Sequence, residues 1–360
     1  MTQVSSLYLH VPFCQHLCNY CDFYKKPLDS QRDQFLEYQD FLKNSVSQHE
    51  KFLLQNNFSW APLETVYLGG GTPSLWGKNG AEFFAKELCS IPLKDDAEFT
   101  MEVDPGTWTE EMLSAWQEVG LNRISVGTQS LNPEFLKILD RIHSLNDSLY
   151  FLKFLQKNQW NYSLDFLLGV PFSHEKKRDI KQELDLLLDH SPKHISLYIL
   201  NARSKYPHIQ HIPDDDYISE EYLFVSEYLR SLGFHHYEVS NFALPGFESK
   251  HNQKYWNGQG VAALGPTGTG YLAINDNKAT RYKWKVTKPE VEIEELGPTE
   301  LLLEKTYLSL RTSLGLKITP ERYPLYLDWI KKNYATEDNG FIKLNSSGFL
   351  ILDSLMKDLL

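Results

Sequence analysis

A partial (β/α)6, TIM-like barrel with a small α-rich C-terminal domain is the α/β fold this sequence predicts. Two observations carry that expectation. Over the first two-thirds of the chain, β-prone runs alternate with helix-like runs six times. Such alternation implies a parallel sheet with helices outside. The unusual polar and glycine residues also cluster where the β-prone runs end, at Cys14–Cys21, Gly69–Pro73, Glu102, Gln129 and Asp165. In barrels of this kind the C-terminal strand ends hold the active site. Right-handed crossovers then curl the sheet toward a partial barrel.

The elements follow in order. Leu7–Val11 reads as strand one, followed by a cysteine-rich loop. Gln34–Leu54 reads as a helix, with Phe35, Tyr38, Phe41 and Leu42 at helical spacing. Thr65–Leu68 is strand two, and Phe83–Leu88 is helical. Glu98–Val103 is strand three, and Thr109 caps a helix through Val119. Arg123–Val126 is strand four, and Asn132-Pro133 starts a helix, proline being tolerated in the first turn. Ser163–Leu168 and His194–Leu200 are strands five and six, with helices at Ile180–Leu188 and Asp215–Leu232.

Beyond Tyr237 the pattern changes. Tyr237–Phe242 reads as one more strand, and Gly258–Gly270 is rich in glycine and proline. Thr299–Leu310 is helical, Thr319-Pro320 starts another helix, and Asn339-Gly340 is a turn. Phe341–Leu344 is strand-like and Ser346–Leu360 an amphipathic helix. The expected division is a barrel over 1–236, a connecting segment over 237–296, and a C-terminal domain over 297–360.

Composition narrows the function. The chain has 360 residues and 42% hydrophobic content, enough for a packed core and about two domains. Lys+Arg 36 against Asp+Glu 47 gives a net charge of −11, which argues against broad nucleic-acid or anionic-membrane binding. The start reads as no signal peptide. No apolar run approaches the roughly 20 residues a membrane span needs. A cytoplasmic protein is therefore expected.

Three of the four cysteines, Cys14, Cys18 and Cys21, fall within eight residues. Thiolates this close wrap a metal or a cluster, or pair as a disulfide. Zinc normally takes four closed ligands, so His16 or His10 would have to complete such a site. An iron–sulfur cube also normally takes four cysteines, and three leave one iron open. Cys89 reads as a small core residue of a helix.

Several blocks then agree. Tyr8-Leu-His-Val-Pro-Phe-Cys-x3-Cys-x-Tyr-Cys-Asp-Phe23, Tyr67-Leu-Gly-Gly-Gly-Thr-Pro-Ser-Leu75 and Glu102-Val-Asp-Pro-Gly106 come first. Arg123–Ser130, Arg141-Ile-His-Ser144, Asp165–Pro171, His194–Tyr198, Tyr237–Asn241 and His251-Asn-x-x-Tyr-Trp256 follow. Together they resemble the oxygen-independent coproporphyrinogen III oxidase family of radical S-adenosylmethionine (SAM) proteins. The resemblance is closer to its heme-chaperone (HemW) branch and covers nearly the whole chain.

That resemblance implies a radical-SAM barrel in which Cys14, Cys18 and Cys21 hold a [4Fe–4S] cluster. It implies that Tyr8, Gly70, Gly71, Thr72 and Glu102 contact SAM, with Gln129, Arg141 and Asp165 in the same surroundings. His251 would ligate heme, with Tyr255 and Trp256 packing on the porphyrin. Taken alone, His251 reads as structural, a triple glycine as a turn, and an Arg–Asp pair as an ion pair. The implied partners are SAM, heme or a porphyrinogen, heme-acceptor proteins, and an electron donor for the cluster.

Three departures concern the substrate end. Thr269 stands where the branch commonly has histidine. The segment Asn201–Pro213 is short and carries His208 and His211. Asp22-Phe23 follows the triplet where true oxidases place a fourth cysteine. The last departure, with the complete His251–Trp256 motif, favours a chaperone over oxidative decarboxylation. A zinc-stapled barrel without radical chemistry is the outside alternative; it has no need of the Gly69–Pro73 and Glu102 blocks.

Overall fold

A computed structural model describes residues 1–29, 31–88 and 91–359. Cys89 lies outside the described residues. The order begins with β1 (Thr2–Val11), whose Val4, Leu7, Leu9 and Val11 are buried. β2 (Phe13–Cys14) and β3 (Lys26–Pro27) pair in parallel and close the cysteine loop at its base. α1 (Gln34–Gln55) is capped by Asp33, which accepts from the Leu36 N–H at 3.2 Å. β4 (Phe58–Gly70) leads to α2 (Gly77–Phe83), which runs on as a π-turn through Leu88. β5 (Leu93–Val103), α3 (Glu110–Glu118), β6 (Arg123–Gln129) and α4 (Pro133–Ile138) come next, with Thr109 and Asn132 as caps.

The sequence reading passed over α5 (Leu145–Lys157). Ser144 and Asp147 form a reciprocal capping box there, and Ser148, Phe151, Leu152 and Leu155 make its buried face. β7 (Asn161–Leu168), α6 (Ile180–Leu188), β8 (His194–Ile199) and α7 (Asp215–Ser231) complete the six β–α units. The strand expected at Tyr237–Phe242 is instead two short ones, β9 (His235–Glu238) and β10 (Asn241–Ala243), which fold back on each other.

After them come α8 (Lys250–Trp256), β11 (Ala262–Leu264), β12 (Thr269–Asn275), β13 (Lys278–Trp284) and β14 (Val291–Leu296). The main sheet has the order β11-β1-β4-β5-β6-β7-β8-β10-β9. Its six central strands are parallel and sequential. β11 adds in parallel beside β1, and β10 adds antiparallel beside β8. These strands are buried on both faces, which is why they read as near-continuous apolar runs.

Within the segment 237–296, β9, β10 and β11 join the main sheet, whereas β12, β13 and β14 form a separate three-stranded antiparallel sheet. Ala262, Leu264, Leu272, Tyr282 and Trp284 belong to the barrel's own core. The remainder has a separate core around Tyr326, Trp329, Ile342 and Phe349. It is built from α9 (Pro298–Leu310), β15 (Leu316–Lys317), α10 (Tyr323–Lys331), β16 (Ala335–Asp338) and β17 (Phe341–Leu344). The single helix expected from Ser346 breaks at Ile351 into α11 (Ser346–Leu350) and α12 (Leu352–Lys357). β15, β17 and β16 form a three-stranded sheet beside these helices.

α8 lies at the N-terminal end of the barrel, on Glu98 of β5. The Glu98 carboxylate accepts from the backbone N–H of Lys250 at 3.0 Å and of His251 at 2.9 Å. It also lies 3.9 Å from the buried Arg123 guanidinium. Removing it would strand both the helix start and a buried cation. Glu98→Ala is expected to cost about 3 kcal/mol of unfolding free energy, read as a lowered denaturation midpoint. An unchanged midpoint would show that Glu98 does not hold α8.

Candidate active site

The strand ends meet the cysteine loop around one cavity of about 520 Å³. Cys14, Cys18 and Cys21 line it, with Gly70, Gly71, Thr72, Glu102, Gln129, Arg141 and Asp165. Seven of the eight residues expected around SAM thus line it, all but Tyr8, and their surroundings differ.

Gly70 and Gly71 are required by the protein itself. A Cβ on Gly70 would sit 2.5 Å from the His10 ring, and the backbone there has φ +115°. A Cβ on Gly71 would sit 2.5 Å from the Phe13 carbonyl oxygen. The Gly71 N–H donates to the Val11 carbonyl at 2.8 Å, and the Thr72 N–H to Phe13 at 2.7 Å. The glycines thus let the end of β4 lie against the cysteine loop. The Thr72 hydroxyl donates to Cys14 Sγ at 3.5 Å.

Arg141 clamps the loop from the other side. Its guanidinium donates to Cys18 Sγ at 3.8 Å, to the Tyr20 hydroxyl at 3.4 Å and to the Gly127 carbonyl at 3.1 Å. It also pairs with Asp104, which His143 contacts at 3.2 Å. Burial alone would raise the Asp104 carboxyl, but the His143 bond and the Arg141 charge outweigh it and hold it low. Burial raises the Cys14 and Cys18 thiols, opposed at Cys14 by the Thr72 bond and at Cys18 by Arg141. Lys25 donates to the Cys21 carbonyl.

Glu102 and Asp165 are the cavity's unpaired acids. Tyr67 donates to Glu102 Oε1 at 3.0 Å, and the Gly70 N–H donates to Oε2 at 3.0 Å. Desolvation, then the nearby Asp165 charge, push the Glu102 carboxyl up to about 7. Desolvation pushes Asp165 up to about 6, against hydrogen bonds from Ser196 and Ser125. Gln129 reaches the cavity from a bulge at the end of β6, with φ +62°.

Two expected residues lie elsewhere. Tyr8 is not among the cavity's lining; its hydroxyl meets His10 Nδ1 at 3.0 Å and its ring stacks on Tyr67. His251 is 1% exposed in the barrel lumen, with Nδ1 bonded to Thr65 at 2.8 Å and the ring stacked on Tyr67. Its Nε2 is buried without a partner, and burial drops the imidazole pKa to about 3. In this arrangement neither His251 nitrogen lines the cysteine cavity. Thr269 lies exposed on β12, away from the cysteine cavity. His211 stacks on Phe172 at 3.9 Å, beside His208, outside that cavity.

Sequence reasoning left out Asp104, Ser125 and Gly127. Position supplied part of the signal: Asp104 directly follows the end of β5, and Ser125 and Gly127 are two residues apart on β6. The rim, too, went unread: Phe23 is 73% exposed, and Ile142, Tyr198 and Ile199 are also exposed.

The donor set fits the groups the resemblance implies. Three thiols line one cavity beside an acidic pair able to accept from an ammonium or ribose hydroxyls. Among the described residues, no three of His, Cys, Asp or Glu converge on a single metal ion. A cube whose ligands sit on separate irons does not need them to.

Comparison with known proteins bears on the same residues. The model of the radical SAM superfamily matches residues 8–187. The heme chaperone HemW of Lactococcus lactis subsp. lactis is 30% identical over 335 residues, covering 87% of this chain and 83% of that protein. HemW of Synechocystis sp. is 32% identical over 336 residues, covering 87% and 79%. The solved coproporphyrinogen III oxidase (HemN) from Escherichia coli, a radical SAM enzyme, superposes with a TM-score of 0.78 at 17% identity, over 99% of this chain and 89% of that one. That likeness shows a shared fold.

The raised Glu102 carboxyl predicts a pH effect. Below its ordinary value of 4.5 the group is protonated in both the folded and unfolded states. Between 4.5 and about 7 the unfolded chain ionises while the folded one resists, so stability falls as pH rises through that window. The loss from this group is about 3 kcal/mol. Denaturation of ligand-free protein across the window should show it, and Glu102→Gln should flatten the slope. An identical slope in the variant would rule this out.

Proposed function

The chain belongs to the radical SAM superfamily, and from that membership we propose that it is a heme chaperone of the HemW kind. In this reading Cys14, Cys18 and Cys21 hold a [4Fe–4S] cluster, SAM lies beside it, and heme is bound and handed to acceptor proteins. The observation that carries the reading is the single cavity joining the three thiols to Gly70–Thr72, Glu102 and Asp165. The named relatives support the chaperone branch.

When bound and reduced, such a cluster supplies an electron to SAM at its open iron. The chain's own residues do the positioning. Thr72 and Arg141 hold the sulfurs of Cys14 and Cys18 from opposite sides. Glu102 and Asp165 offer carboxylate oxygens to the polar groups of SAM. Tyr20, packed among apolar neighbours and bonded to Arg141, keeps water from one side of the loop. The exposed rim of Phe23, Ile142, Tyr198 and Ile199 offers apolar cover to a protein partner, whether heme acceptor or electron donor.

For heme, His251 requires movement. Thr65 already engages Nδ1, which leaves Nε2 as the free nitrogen, the arrangement metal-ligating histidines use. Access to it means releasing the seven-residue α8 from Glu98. The apparent affinity then carries the cost of that opening.

Two outcomes are expected. Reconstituted anaerobically, the protein should hold about four irons per chain, and the combined Cys14→Ala, Cys18→Ala, Cys21→Ala variant should hold none. Stoichiometric zinc with no iron after reconstitution would refute the cluster.

The second outcome concerns heme. Titration should show binding that His251→Ala weakens by 1–3 kcal/mol, about five- to a hundred-fold. Ser249→Ala, which removes the α8 cap, should speed uptake. Coproporphyrinogen III should not be decarboxylated above background with SAM and reductant present. Robust decarboxylation together with heme binding indifferent to His251→Ala would sink the chaperone reading.

A further inference from the structure

Between α8 and the cysteine loop the barrel lumen holds one continuous file of rings. Centroid separations are 6.5 Å for Trp256–Tyr255, 5.4 Å for Tyr255–His251 and 5.2 Å for His251–Tyr67. They continue at 6.2 Å for Tyr67–Tyr8, 6.0 Å for Tyr8–His10 and 6.3 Å for His10–Tyr24. All lie within the range of aromatic contact.

A stack of rings alone is ordinary core. Here, two phenols in its middle aim their protons at bases. Tyr67 donates to Glu102 Oε1 at 3.0 Å. His10 Nε2 faces the Tyr24 carbonyl at 3.1 Å and must donate to it, so Nδ1 is the acceptor for Tyr8. A phenol that loses an electron becomes strongly acidic, so it is readily oxidised only where a base takes its proton in place.

Glu102 faces both ways. One oxygen holds Tyr67, and the carboxylate lines the cysteine cavity. Burial holds it near neutrality, so it both accepts and releases a proton at physiological pH. The far end of the file resists charge, because the Arg311 guanidinium lies 4.2 Å from the Trp256 ring centroid. A cation over that face disfavours an oxidised, positive indole. An oxidising equivalent is thereby confined to the tyrosines.

We propose that Tyr67, with Glu102 as its proton acceptor, is a redox-active residue that gives a hydrogen-atom equivalent to neutral carbon- or oxygen-centred radicals formed in the cysteine cavity. Such a radical X• takes one electron from Tyr67. The phenolic proton passes to Glu102, and Glu102 delivers a proton to X. The net change is X• plus Tyr67–OH giving X–H plus the neutral tyrosyl radical. A thiol admitted to the cavity restores the residue by the same route: it gives up one hydrogen atom, is oxidised to a thiyl radical, and Tyr67–OH is re-formed. The effect is to draw oxidation away from Cys14, Cys18 and Cys21.

The test is photo-oxidation of the full-length protein with a ruthenium(III) polypyridyl complex, followed by freezing and electron paramagnetic resonance. Cluster-loaded and cluster-free protein are both read, so failure here is separable from failure of the cluster and heme assignments. A long-lived neutral tyrosyl signal is expected in both forms. It should vanish in Tyr67→Phe and persist in Tyr150→Phe, whose ring is on the surface. Glu102→Gln keeps the phenol but removes its acceptor, and should lower the radical yield several-fold. Melting curves establish that the variants fold; if Tyr67→Phe does not, Glu102→Gln decides. A long-lived signal unchanged in Tyr67→Phe, or a yield unchanged in Glu102→Gln, overturns the proposal.

Discussion

Two backbone hydrogen bonds, Gly71 to Val11 and Thr72 to Phe13, tie the end of β4 to the cysteine loop. The rest of the site depends on them. β1 and β4 are parallel neighbours with Val11 beside Gly70, and the chain leaving β1 turns over the end of β4. Contact that close is possible only without side chains at 70 and 71. The β2–β3 pair then closes the loop at its base. The thiols are held at the cavity by backbone geometry first, and by Thr72 and Arg141 second.

Two glutamates on one strand show how surroundings assign roles. Glu98 and Glu102 are four residues apart on β5 and share a face. Glu98 has the Arg123 cation and two backbone N–H donors, and acts as an anchor for α8. Glu102 has a phenol and one N–H, no cation, and Asp165 nearby. The first is a structural anion. The second is an acid held near neutrality and facing the cavity.

Much of this was legible in the sequence. The six strands, their order and the clustering of Cys14–Cys21, Gly70–Thr72, Glu102 and Asp165 at strand ends follow from alternation and parallel connection alone. What escaped has identifiable causes. α5 carried its own signal, the Ser144–Asp147 box, but lay under a motif read for chemistry. β12 begins at the end of the glycine- and proline-rich stretch 258–270, where Gly270 lies against the Tyr282 ring and so has a packing reason to lack a side chain. Tyr8 shares its motif with cavity residues, yet side-chain direction is set by pleat and packing, which a motif does not report. At Gly70 the close neighbour is the His10 ring, which the motif alone does not show.

The lumen joins the two ends of the molecule. His251 stacks on Tyr67, and Tyr67 holds Glu102. Exposing His251 means pulling α8 from Glu98 and unstacking the imidazole from Tyr67. The phenol then loses one wall of its packing while its hydroxyl remains, among the described residues, the only side-chain donor on Glu102. A ligand that opens the barrel floor therefore alters the carboxylate at the cavity, and a ligand that engages Glu102 alters the packing under α8. Coupling of this kind is reciprocal, and it needs no contact between the two ligands, only the ring that both of them must move.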